Sequence, residues 1–337
     1  MGIHILKAGM LTTVQDLHRI GYQSQGFGVS GVMDTYATSI ANILVDNDEN
    51  DAVIEFTMIG PTLKFTEDAI IAITGGDFQP LVNKKPVNTY KALYINKNDI
   101  LSFSGLKTGC RGYIAFASKL DVPVVMNSRS TNLKSSIGGL SGKKLLEHSF
   151  IPFAEDVHYL PNFLSRKTNP TEYKDTDVIL RVIMGPHDEY FTKSGIDTFL
   201  SNDYQVTNDC DRMGYRLDGP SIETKTTSDI ISCGTTFGSI QVPSDGKPII
   251  LLADRQTTGG YAQIGVIASV DFPKIVQQKP GSKVKFQKIS VGEAQNLIQE
   301  QQEEFTVLKE NIKKHCKETL EIRLIAKKLK TIFDNNL

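Results

Sequence analysis

Cysteine is scarce in this sequence, and its cysteines are far apart along the chain. The four are Cys110, Cys210, Cys233 and Cys316. No C-x-x-C spacing occurs, so neither a redox dithiol nor a zinc knuckle is expected. The HExxH and GxSxG signatures are missing as well, and the six histidines are scattered. We therefore expect reduced thiols and no metal site.

A surplus of positive charge is also missing. Lys and Arg number 37 against 38 Asp and Glu, which gives a formal net charge of −1. A polyanion-binding surface needs a basic excess, so nucleic acid is not an expected partner. No apolar run approaches the roughly 20 residues of a membrane-spanning helix, and the N-terminal stretch MGIHILKAGMLTTVQD lacks the pattern of a signal peptide. These features predict a cytoplasmic protein without membrane contact.

Short β-rich segments fill most of the sequence. Examples are IHILKAG, DAVIEFT, AIIAIT and GYIAFAS in the first half, and DVILRVIMG, GSIQVP and PIILLAD in the second half. They are rich in β-branched or aromatic residues and are bounded by Gly, Asn, Asp or Pro, which is typical of strands. The segment IGPTLKFTEDAIIAI also aligns with DGPSIETKTTSDIISC. Either the chain contains a duplicated barrel-like domain, or two β-rich segments agree by chance.

Two regions have helical periodicity. Residues 33–45 (MDTYATSIANILV) carry apolar side chains at helical spacing, with Asp34 in the first turn. Ser290 and Glu293 form a capping box, after which apolar residues recur at helical spacing. This tail is expected either to cover its own domain or to meet a partner chain. The predicted organisation is an N-terminal β-barrel domain (1–160), a linker (161–176), a C-terminal β-barrel domain (177–290) and an amphipathic helical tail (291–337).

Three parts of the chain combine glycine with many hydrogen-bonding side chains. They are residues 13–34, residues 209–220, and the pair GSIQVPSDG (238–246) and ADRQTTGGYAQIG (253–265). Glycine lets the backbone approach a ligand closely, while Asp, Arg, Gln and Thr supply donors and acceptors. We expect the polar side chains of 254–261 to converge on a cavity for a small planar ligand. Two other glycine-rich stretches, GFGVSG (26–31) and GGLSGKK (138–144), lack the context or spacing of phosphate loops.

A series of motifs gives this chain a specific family resemblance. In order over about residues 1–290, they are TVQDLHRIGYQ, GVSGVMD, VIEFTMIGP, NSRST, RMGYRLDGP, GSIQVPSDG and LLADRQTTGGY. In this combination the chain resembles the biotin-dependent carboxyltransferase-like family, also described as allophanate hydrolase subunit 2, which includes the C subunit of bacterial 5-oxoprolinase. The resemblance implies two cyclophilin-like β-barrel domains. The expected fold class is therefore mainly β, with a C-terminal helical tail.

Four positions depart from the pattern of that family. His18 stands where the family usually has Gly, and Cys233 stands where an acidic residue is common. Ala262 and Gln263 replace a usual Pro-Lys pair. A lysine contact at position 263 is therefore absent.

The resemblance implies a component of ATP-dependent 5-oxoprolinase, which opens the lactam of 5-oxoproline to L-glutamate together with subunits A and B. ATP is then expected on a partner chain or at a shared interface, because the sequence has no phosphate loop. One alternative is the carboxyltransferase component of a biotin-dependent urea or amide carboxylase, with biotin on a separate carrier. The other is a non-enzymatic regulator that binds an inhibitor protein of a sensor kinase.

Opening an unstrained amide requires particular groups around it. The carbonyl oxygen needs donors, the ring N–H an acceptor, the carboxylate a cation, and the attacking water a base. The candidate catalytic residues, as bases or to orient water, are Asp16, Asp34 and Asp254. The candidate substrate-binding residues are Gln241, Gln256, Thr257, Thr258, Gly259, Gly260, Tyr261, Arg212 and Arg216.

These candidates also have structural alternatives. Asp34 suits a helix start, and Asp254 suits a turn cap. Glu55, inside an apolar strand, is expected to be a buried partner of an Arg or of a backbone amide rather than a catalyst. For loop 256–261 the sequence favours function over structure. A structural ion-pair network is the alternative for four charged residues, Arg212, Arg216, Asp211 and Asp218.

Overall fold

The computed structural model describes residues 1–156, 160–174 and 176–313. The strands of the first half are β1 (Gly2–Lys7), β2 (Leu11–Gln15), β3 (Val53–Thr57), β4 (Thr62–Phe65), β5 (Ala69–Asp77), β6 (Pro80–Val82), β7 (Lys85–Pro86), β8 (Ala92–Ile95), β9 (Ile100–Phe103), β10 (Thr108–Phe116) and β11 (Phe150–Pro152). Helix α1 (Thr35–Leu44) lies between β2 and β3.

The strands of the first half form two sheets over a shared apolar core. The six-stranded sheet has the order β11-β1-β4-β9-β6-β7, and the five-stranded sheet has the order β2-β3-β10-β5-β8. Alternate residues of β4 point inward because side chains alternate along a strand. Phe56, Phe78 and Phe103 join the two sheets, with ring centroids 4.7 to 6.3 Å apart.

The helix predicted over residues 33–45 is confirmed as α1. Asp34 is its N-cap, and the Asp34 carboxylate accepts a hydrogen bond of 2.9 Å from the Ala37 amide. Apolar residues of α1, including Ile40 and Leu44, are buried against the five-stranded sheet. The helix therefore covers one face of the first half and fixes the position of Asp34.

The second half contains the closed barrel. Its strands are β12 (Val178–Met184), β13 (Tyr204–Cys210), β14 (Gly214–Asp218), β15 (Asp229–Gly234), β16 (Ser239–Gln241), β17 (Ile249–Leu251), β18 (Thr258–Tyr261), β19 (Gln263–Ile267) and β20 (Lys283–Lys288). Seven of them close in the order β12-β19-β16-β17-β14-β13-β20. The helices are α2 (Lys193–Ser201) and α3 (Phe272–Val276). β15 and β18 form a separate two-stranded ribbon.

The two halves share a buried polar interface. The Gln277 side-chain oxygen accepts hydrogen bonds from the amides of Cys110 (2.9 Å) and Arg111 (2.8 Å). The Arg111 guanidinium in turn donates to the hydroxyl of Tyr215 at 2.5 Å. These contacts hold β10 of the first half against α3 and β14 of the second half.

Helix α4 (Val291–Lys313) follows β20 and packs on both halves. Its capping box is confirmed, since the Glu293 carboxylate accepts from the Ser290 amide at 2.7 Å and the Ser290 hydroxyl accepts from the Glu293 amide at 3.2 Å. Ala294 packs with Val270 of the second half. Ile312 lies in the core that contains α1. The remainder of the predicted tail, residues 314–337, lies outside the described residues.

The predicted fold class, a mainly β chain with a barrel and a C-terminal helix, is confirmed. The closed barrel is in the second half, whereas the first half has two barrel-like sheets. The domain and linker boundaries at 160, 176 and 290 stay predictions.

Candidate functional site

A pocket of about 230 Å³ opens beside the barrel, between β14, β16 and the ribbon. Its lining includes Asp209, Asp211, Met213, Gly214, Ile249 and Leu251. Four residues that the sequence singled out for substrate binding also line it, Arg216, Gln241, Gln256 and Tyr261. The pocket therefore joins β14, β16 and the loop that leads into β18.

Two glutamine carboxamides meet inside this pocket. Nε2 of Gln256 donates to Oε1 of Gln241 at 3.3 Å, and Nε2 of Gln241 donates to the Tyr261 carbonyl at 3.4 Å. The approach depends on Gly259, because a Cβ there would lie 2.3 Å from Nε2 of Gln241. Among the described residues, no hydrogen bond occupies Oε1 of Gln256.

The other members of the predicted loop form the ribbon instead of lining the pocket. The Thr257 carbonyl accepts from the Thr235 amide at 3.1 Å. Thr258 is exposed and is in register with Gly234, and Gly260 lies within β18. The structure therefore brings Gln256 and Tyr261 to the pocket, keeps Thr258 and Gly260 within β18, and leaves Thr257 just before that strand.

Asp254 and Arg212 form a buried ion pair behind the pocket. Nε of Arg212 lies 2.8 Å from Oδ2 of Asp254, and Nη2 lies 3.3 Å from Oδ1. Nη1 of Arg212 donates to Glu55, and Nη2 donates to the Gly31 carbonyl at 2.6 Å. Glu55 also accepts from the Met33 amide at 2.7 Å. This network ties the wall of the pocket to the first half.

The charge balance of this network stabilises the cation. Burial by itself would lower the pKa of Arg212, but the carboxylates of Asp254 and Glu55 raise that pKa above its ordinary value. The expectation that Glu55 is the buried partner of an arginine is confirmed.

The prediction that Arg212 and Arg216 pair with Asp211 and Asp218 is wrong. The two arginine side chains point in different directions and meet other acids. Arg212 points inward, whereas Arg216 lies at the surface, 3.2 Å from Asp245. Asp218 pairs with Lys247 at 3.0 Å.

Asp34 lies away from the pocket, at the interface between the two halves. Besides capping α1, the Asp34 carboxylate accepts from the Tyr173 hydroxyl at 2.9 Å and from Nε2 of Gln277 at 3.0 Å. Burial raises the pKa of Asp34, and these donors and the Ala37 amide offset part of that effect. Asp34 therefore holds the first half against α3.

Asp16 is held by a different loop. The Asp16 carboxylate accepts from the Ser128 hydroxyl at 2.7 Å, the Ser130 hydroxyl at 2.5 Å and the Arg129 amide at 2.5 Å. It is buried and does not line the pocket. The NSRST motif (127–131) is thus the loop that closes over Asp16.

Sequence reasoning missed two buried arginines near these groups. Arg19 donates to the carbonyls of Val125 and Ser130 at 3.1 and 2.7 Å. Burial lowers the pKa of Arg19, which the charges of Asp16 and Asp254 partly offset. Burial also lowers the pKa of Arg255 to about 10. The signal was present, since Arg19 and Arg255 both occur inside motifs that carry the family resemblance.

Two of the departures from the family pattern lie in contact. Nε2 of Gln263 is 3.1 Å from Sγ of Cys233 and 3.1 Å from the Gly234 carbonyl. Gln263 is buried, so a lysine at this position would need a nearby acid. Gln263 and Cys233 thus form a neutral pair next to the ribbon.

No group of three or more His, Cys, Asp or Glu in the described ranges is placed to hold a metal ion. None of the described helices combines the length and the apolar character that crossing a membrane requires. The two glycine-rich stretches do not fit a nucleotide phosphate. The helix after 26–31 begins with the carboxylate of Asp34, and 138–144 lies in turns.

Comparison with known proteins gives consistent matches. Residues 25–288 match the family model of the carboxyltransferase domain, subdomain A and B. The chain is 34% identical to the C subunit of 5-oxoprolinase from Escherichia coli, over 91% of this chain and 97% of that protein. It is also 34% identical to the C subunit of 5-oxoprolinase from Haemophilus influenzae, over 88% of this chain and 94% of that protein.

A solved structure shares the fold at similar coverage. The crystal structure of the K. lactis urea amidolyase superimposes with a TM-score of 0.83 and 27% identity. The match covers 93% of this chain but 20% of that much longer chain.

Proposed function

The chain belongs to the carboxyltransferase domain family, subdomain A and B, and we propose on this basis that it is the C subunit of an ATP-dependent 5-oxoprolinase. In this role it opens 5-oxoproline to L-glutamate together with subunits A and B. The E. coli and H. influenzae proteins that it matches over nearly their full length are both 5-oxoprolinase C subunits by name. The observation that supports the proposal most is the pair of carboxamides, Gln241 and Gln256, inside one small pocket.

A carboxamide is the natural complement of a lactam. The N–H and C=O groups of a lactam lie on the same side of the ring, so one carboxamide can bind both. In our proposal Oε1 of Gln256 accepts from the ring N–H, and its Nε2 donates to the ring carbonyl. Gln241 holds Gln256 in place through their 3.3 Å hydrogen bond. Tyr261, which is 40% exposed, covers the open side of the ring.

The carboxylate of 5-oxoproline needs a cation, and Arg216 is the cation on the pocket wall. Its ion pair with Asp245 is solvent-exposed, with 41% and 52% of the two side chains accessible. Exposed ion pairs contribute about 0–1 kcal/mol, so exchanging Asp245 for the substrate carboxylate costs little. Arg212 would then act indirectly, by fixing the loop that Asp254 begins.

The roles of the three carboxylates follow their positions. Asp254 is proposed to hold the pocket loop in place, since both of its oxygens contact Arg212. Asp34 has the raised pKa that suits proton transfer, but it lies at the interface between the halves. Asp16 is proposed to order the loop 127–131. The base that activates water at the pocket would come from a partner chain.

ATP would be bound by a partner chain, because the glycine-rich stretches of this chain do not fit its phosphates. The amide carbonyl becomes reactive once its oxygen is phosphorylated. The pocket residues of this chain would orient the lactam for that step and exclude competing water. Such an assembly of soluble subunits is expected in the cytoplasm.

A second function is favoured by the charges around the pocket. Asp209 and Asp211 line it, and Arg216 is paired with Asp245. This balance also suits a neutral urea-like group, and the chain shares its fold with part of a urea amidolyase. The second candidate is therefore the carboxyltransferase component of a biotin-dependent urea or amide carboxylase. Biotin, whose ureido ring resembles the lactam in shape, would arrive on a separate carrier.

An activity assay with purified subunits separates these functions. The chain is purified alone and with subunits A and B, and ATP hydrolysis is measured with 5-oxoproline or urea. We expect hydrolysis that depends on 5-oxoproline and on all three subunits, and we expect Gln256→Ala to abolish most of it. Activity with urea and a biotin carrier instead would support the second candidate. An unchanged growth phenotype for Gln256→Ala, with no turnover by the complete assembly, would favour a regulatory protein.

A further inference from the structure

A second cavity, which we call the first-half pocket, lies between the two sheets of the first half. Its volume is about 650 Å³, against about 230 Å³ for the proposed substrate pocket at Gln256. Gly75 and Thr108 line it from the five-stranded sheet, and Leu81 and Pro86 line it from the six-stranded sheet. Small-molecule sites typically measure about 300–1,000 Å³, so the first-half pocket is large enough to hold a ligand.

The first-half pocket is built on a segment that recurs in the second half. Residues 76–86 (GDFQPLVNKKP) align without a gap with residues 238–248 (GSIQVPSDGKP), and Gly, Gln, Lys and Pro coincide at four of the eleven positions. The two segments also hold the same place in the strand order. β6 lies between β9 and β7, and β16 lies between β19 and β17. The two segments are therefore structural equivalents.

Equivalent positions of the two segments line the two pockets. Gln79 aligns with Gln241, and each lines the pocket of its own half. Continued past the shared proline, the alignment pairs Val87 with Ile249, and these residues also line their respective pockets. The first-half pocket is therefore the counterpart of the proposed substrate pocket.

This counterpart lacks the cation of the substrate pocket. In the barrel, β17 pairs with β14, which brings Arg216 into register with Ile249. β7 is instead the last strand of its sheet among the described residues, so no strand takes the place of β14 beside it. Within the described chain no Lys, Arg or His lines the first-half pocket, whereas Asp77 and Glu172 do. A ligand carboxylate would therefore meet two acids and no lining cation.

The remaining polar groups of the lining are uncharged. The carboxamides of Gln79 and Asn88 both line the pocket, and both side chains are exposed. Oε1 of Gln79 accepts from the Ser104 hydroxyl at 3.3 Å. Neither Nε2 of Gln79 nor the Asn88 side chain has a hydrogen bond to another described residue. Two carboxamides are thus available to the N–H and C=O groups of an amide ligand.

We propose that the first-half pocket is a second binding site, for an uncharged amide larger than 5-oxoproline. The ligand is a lactam whose carboxylate has been converted into a further amide, as in a 5-oxoprolyl peptide amide. Gln79 and Asn88 bind its amide groups, the acids of the lining exclude a free carboxylate, and the larger volume holds the added residue. The choice of a lactam rests on the proposed function of the counterpart pocket.

A ligand in this pocket would also contact the segment that precedes β12. Tyr173 lines the pocket, and its hydroxyl donates to the Asp34 carboxylate at 2.9 Å. The same carboxylate accepts from Nε2 of Gln277 in the second half at 3.0 Å. Binding should therefore order this segment and raise the melting temperature of the chain, because the ligand binds the native state only.

Calorimetry on the full chain tests the proposal with a matched pair of probes. 5-Oxoprolyl-alaninamide is titrated into the wild-type chain, and 5-oxoprolyl-alanine, which differs only in its terminal carboxylate, is titrated in parallel. We expect the amide to bind about tenfold more tightly, because the free acid faces Asp77 and Glu172. Glu172→Gln should narrow this difference, since it removes one of the two negative charges.

Variants in both pockets locate the bound amide. Gln79→Asn withdraws one carboxamide and keeps a residue type that tolerates the left-handed backbone there (φ 51°), while Asn88→Ala removes the other carboxamide. Each should weaken binding about three- to tenfold, which is the effect of one hydrogen bond. Gln256→Ala, in the substrate pocket, should bind the amide like the wild type. Hydrogen exchange at the amides of residues 87–89 and 171–173 should slow on binding.

Four results would overturn the second site. They are no binding of 5-oxoprolyl-alaninamide at millimolar concentrations, equal affinity for the amide and the free acid, wild-type affinity in both Gln79→Asn and Asn88→Ala, and loss of binding in Gln256→Ala. A chain that binds the amide as expected, but whose complete assembly does not hydrolyse ATP with 5-oxoproline, would leave the second site standing. That result would contradict the proposed function instead.

Discussion

Arg212 of the second half and Glu55 of the first half form an ion pair in which both side chains are almost completely buried, at 4% and 1% exposure. Arg212 contacts Asp254 at the same time, and Asp254 begins the loop that lines the pocket. One cation therefore serves two acids. It connects strand β3 of the first half with the pocket of the second half.

Replacing Arg212 with methionine should destabilise the protein strongly. The substitution leaves Glu55 and Asp254 buried without a cation, and breaking a buried pair in this way costs about 3–5 kcal/mol. The free energy of unfolding can be measured by urea denaturation at neutral pH. Arg216→Met is the control, because its pair with Asp245 is exposed and should contribute less than about 1 kcal/mol. Similar losses in the free energy of unfolding for the two variants would contradict the conclusion that the buried ion pairs of Arg212 stabilise the protein.

Gly259→Ala should impair the pocket while preserving the fold. Its Cβ would lie 2.3 Å from Nε2 of Gln241, which is the end of a flexible side chain and can move away. The displaced Gln241 would no longer hold Gln256. We expect kcat/KM for 5-oxoproline in the complete assembly to fall about tenfold, which is the effect of one hydrogen bond.

The neighbouring glycine provides the comparison. A Cβ at Gly260 would lie 3.6 Å from its nearest neighbour, the Ile230 carbonyl, so Gly260→Ala fits without displacement. We expect a clearly smaller loss of kcat/KM than for Gly259→Ala. Equal losses in the two variants would indicate that the backbone flexibility of the loop matters, not the contact with Gln241.

The contact between Cys233 and Gln263 predicts a coupled pair of substitutions. Gln263→Lys places a cation where the native side chain is 3% exposed and contacts a thiol. We expect a loss of stability of about 1–3 kcal/mol. Adding Cys233→Glu supplies an acid and should recover part of that loss. A double-mutant cycle in urea would measure the coupling, and an interaction energy near zero would show that the two positions are independent.

Periodicity was enough to predict the main elements of the fold. The spacing of residues 33–45 and the Ser290–Glu293 capping box located α1 and the start of α4, because both signals are local. The neighbours of each strand in its sheet could not be predicted from such local signals. β5 and β15 align in sequence, yet β5 is buried between two strands and β15 is exposed in the ribbon. Strand neighbours depend on contacts between distant residues, which a repeat of aliphatic positions does not specify.

The residues of the candidate site were predictable from the sequence, but the directions of their side chains were not. The loop 254–261 was identified from its density of polar groups and glycine. Within it, Asp254 turns toward Arg212 and Gln256 toward the pocket. The buried partner of Arg212 comes from β3, more than a hundred residues away along the chain. A sequence pattern gives no information on such a pairing. A buried arginine can pair with any acidic residue that the fold brings near it, wherever that residue lies in the sequence.

The raised pKa of Asp34 predicts a pH dependence of stability. Burial raises this pKa because the charged carboxylate is disfavoured in the interior. The native state then binds the proton more tightly than the unfolded chain does. The stabilising contribution of Asp34 is therefore complete below the ordinary pKa of an aspartate. It declines as the pH rises through the raised pKa of the native state.

Asp34→Asn should remove this part of the pH dependence, since asparagine does not titrate and can still accept from the Ala37 amide. The free energy of unfolding of wild type and variant is compared across acidic and neutral pH. We expect the wild type to lose stability relative to the variant as the pH rises. Asp271 provides the opposite sign, because burial would raise its pKa but hydrogen bonds from Arg181 and Lys274 lower it. Asp271→Asn should therefore cost most at neutral pH and least in acid, and the same trend in both variants would show that burial does not control Asp34.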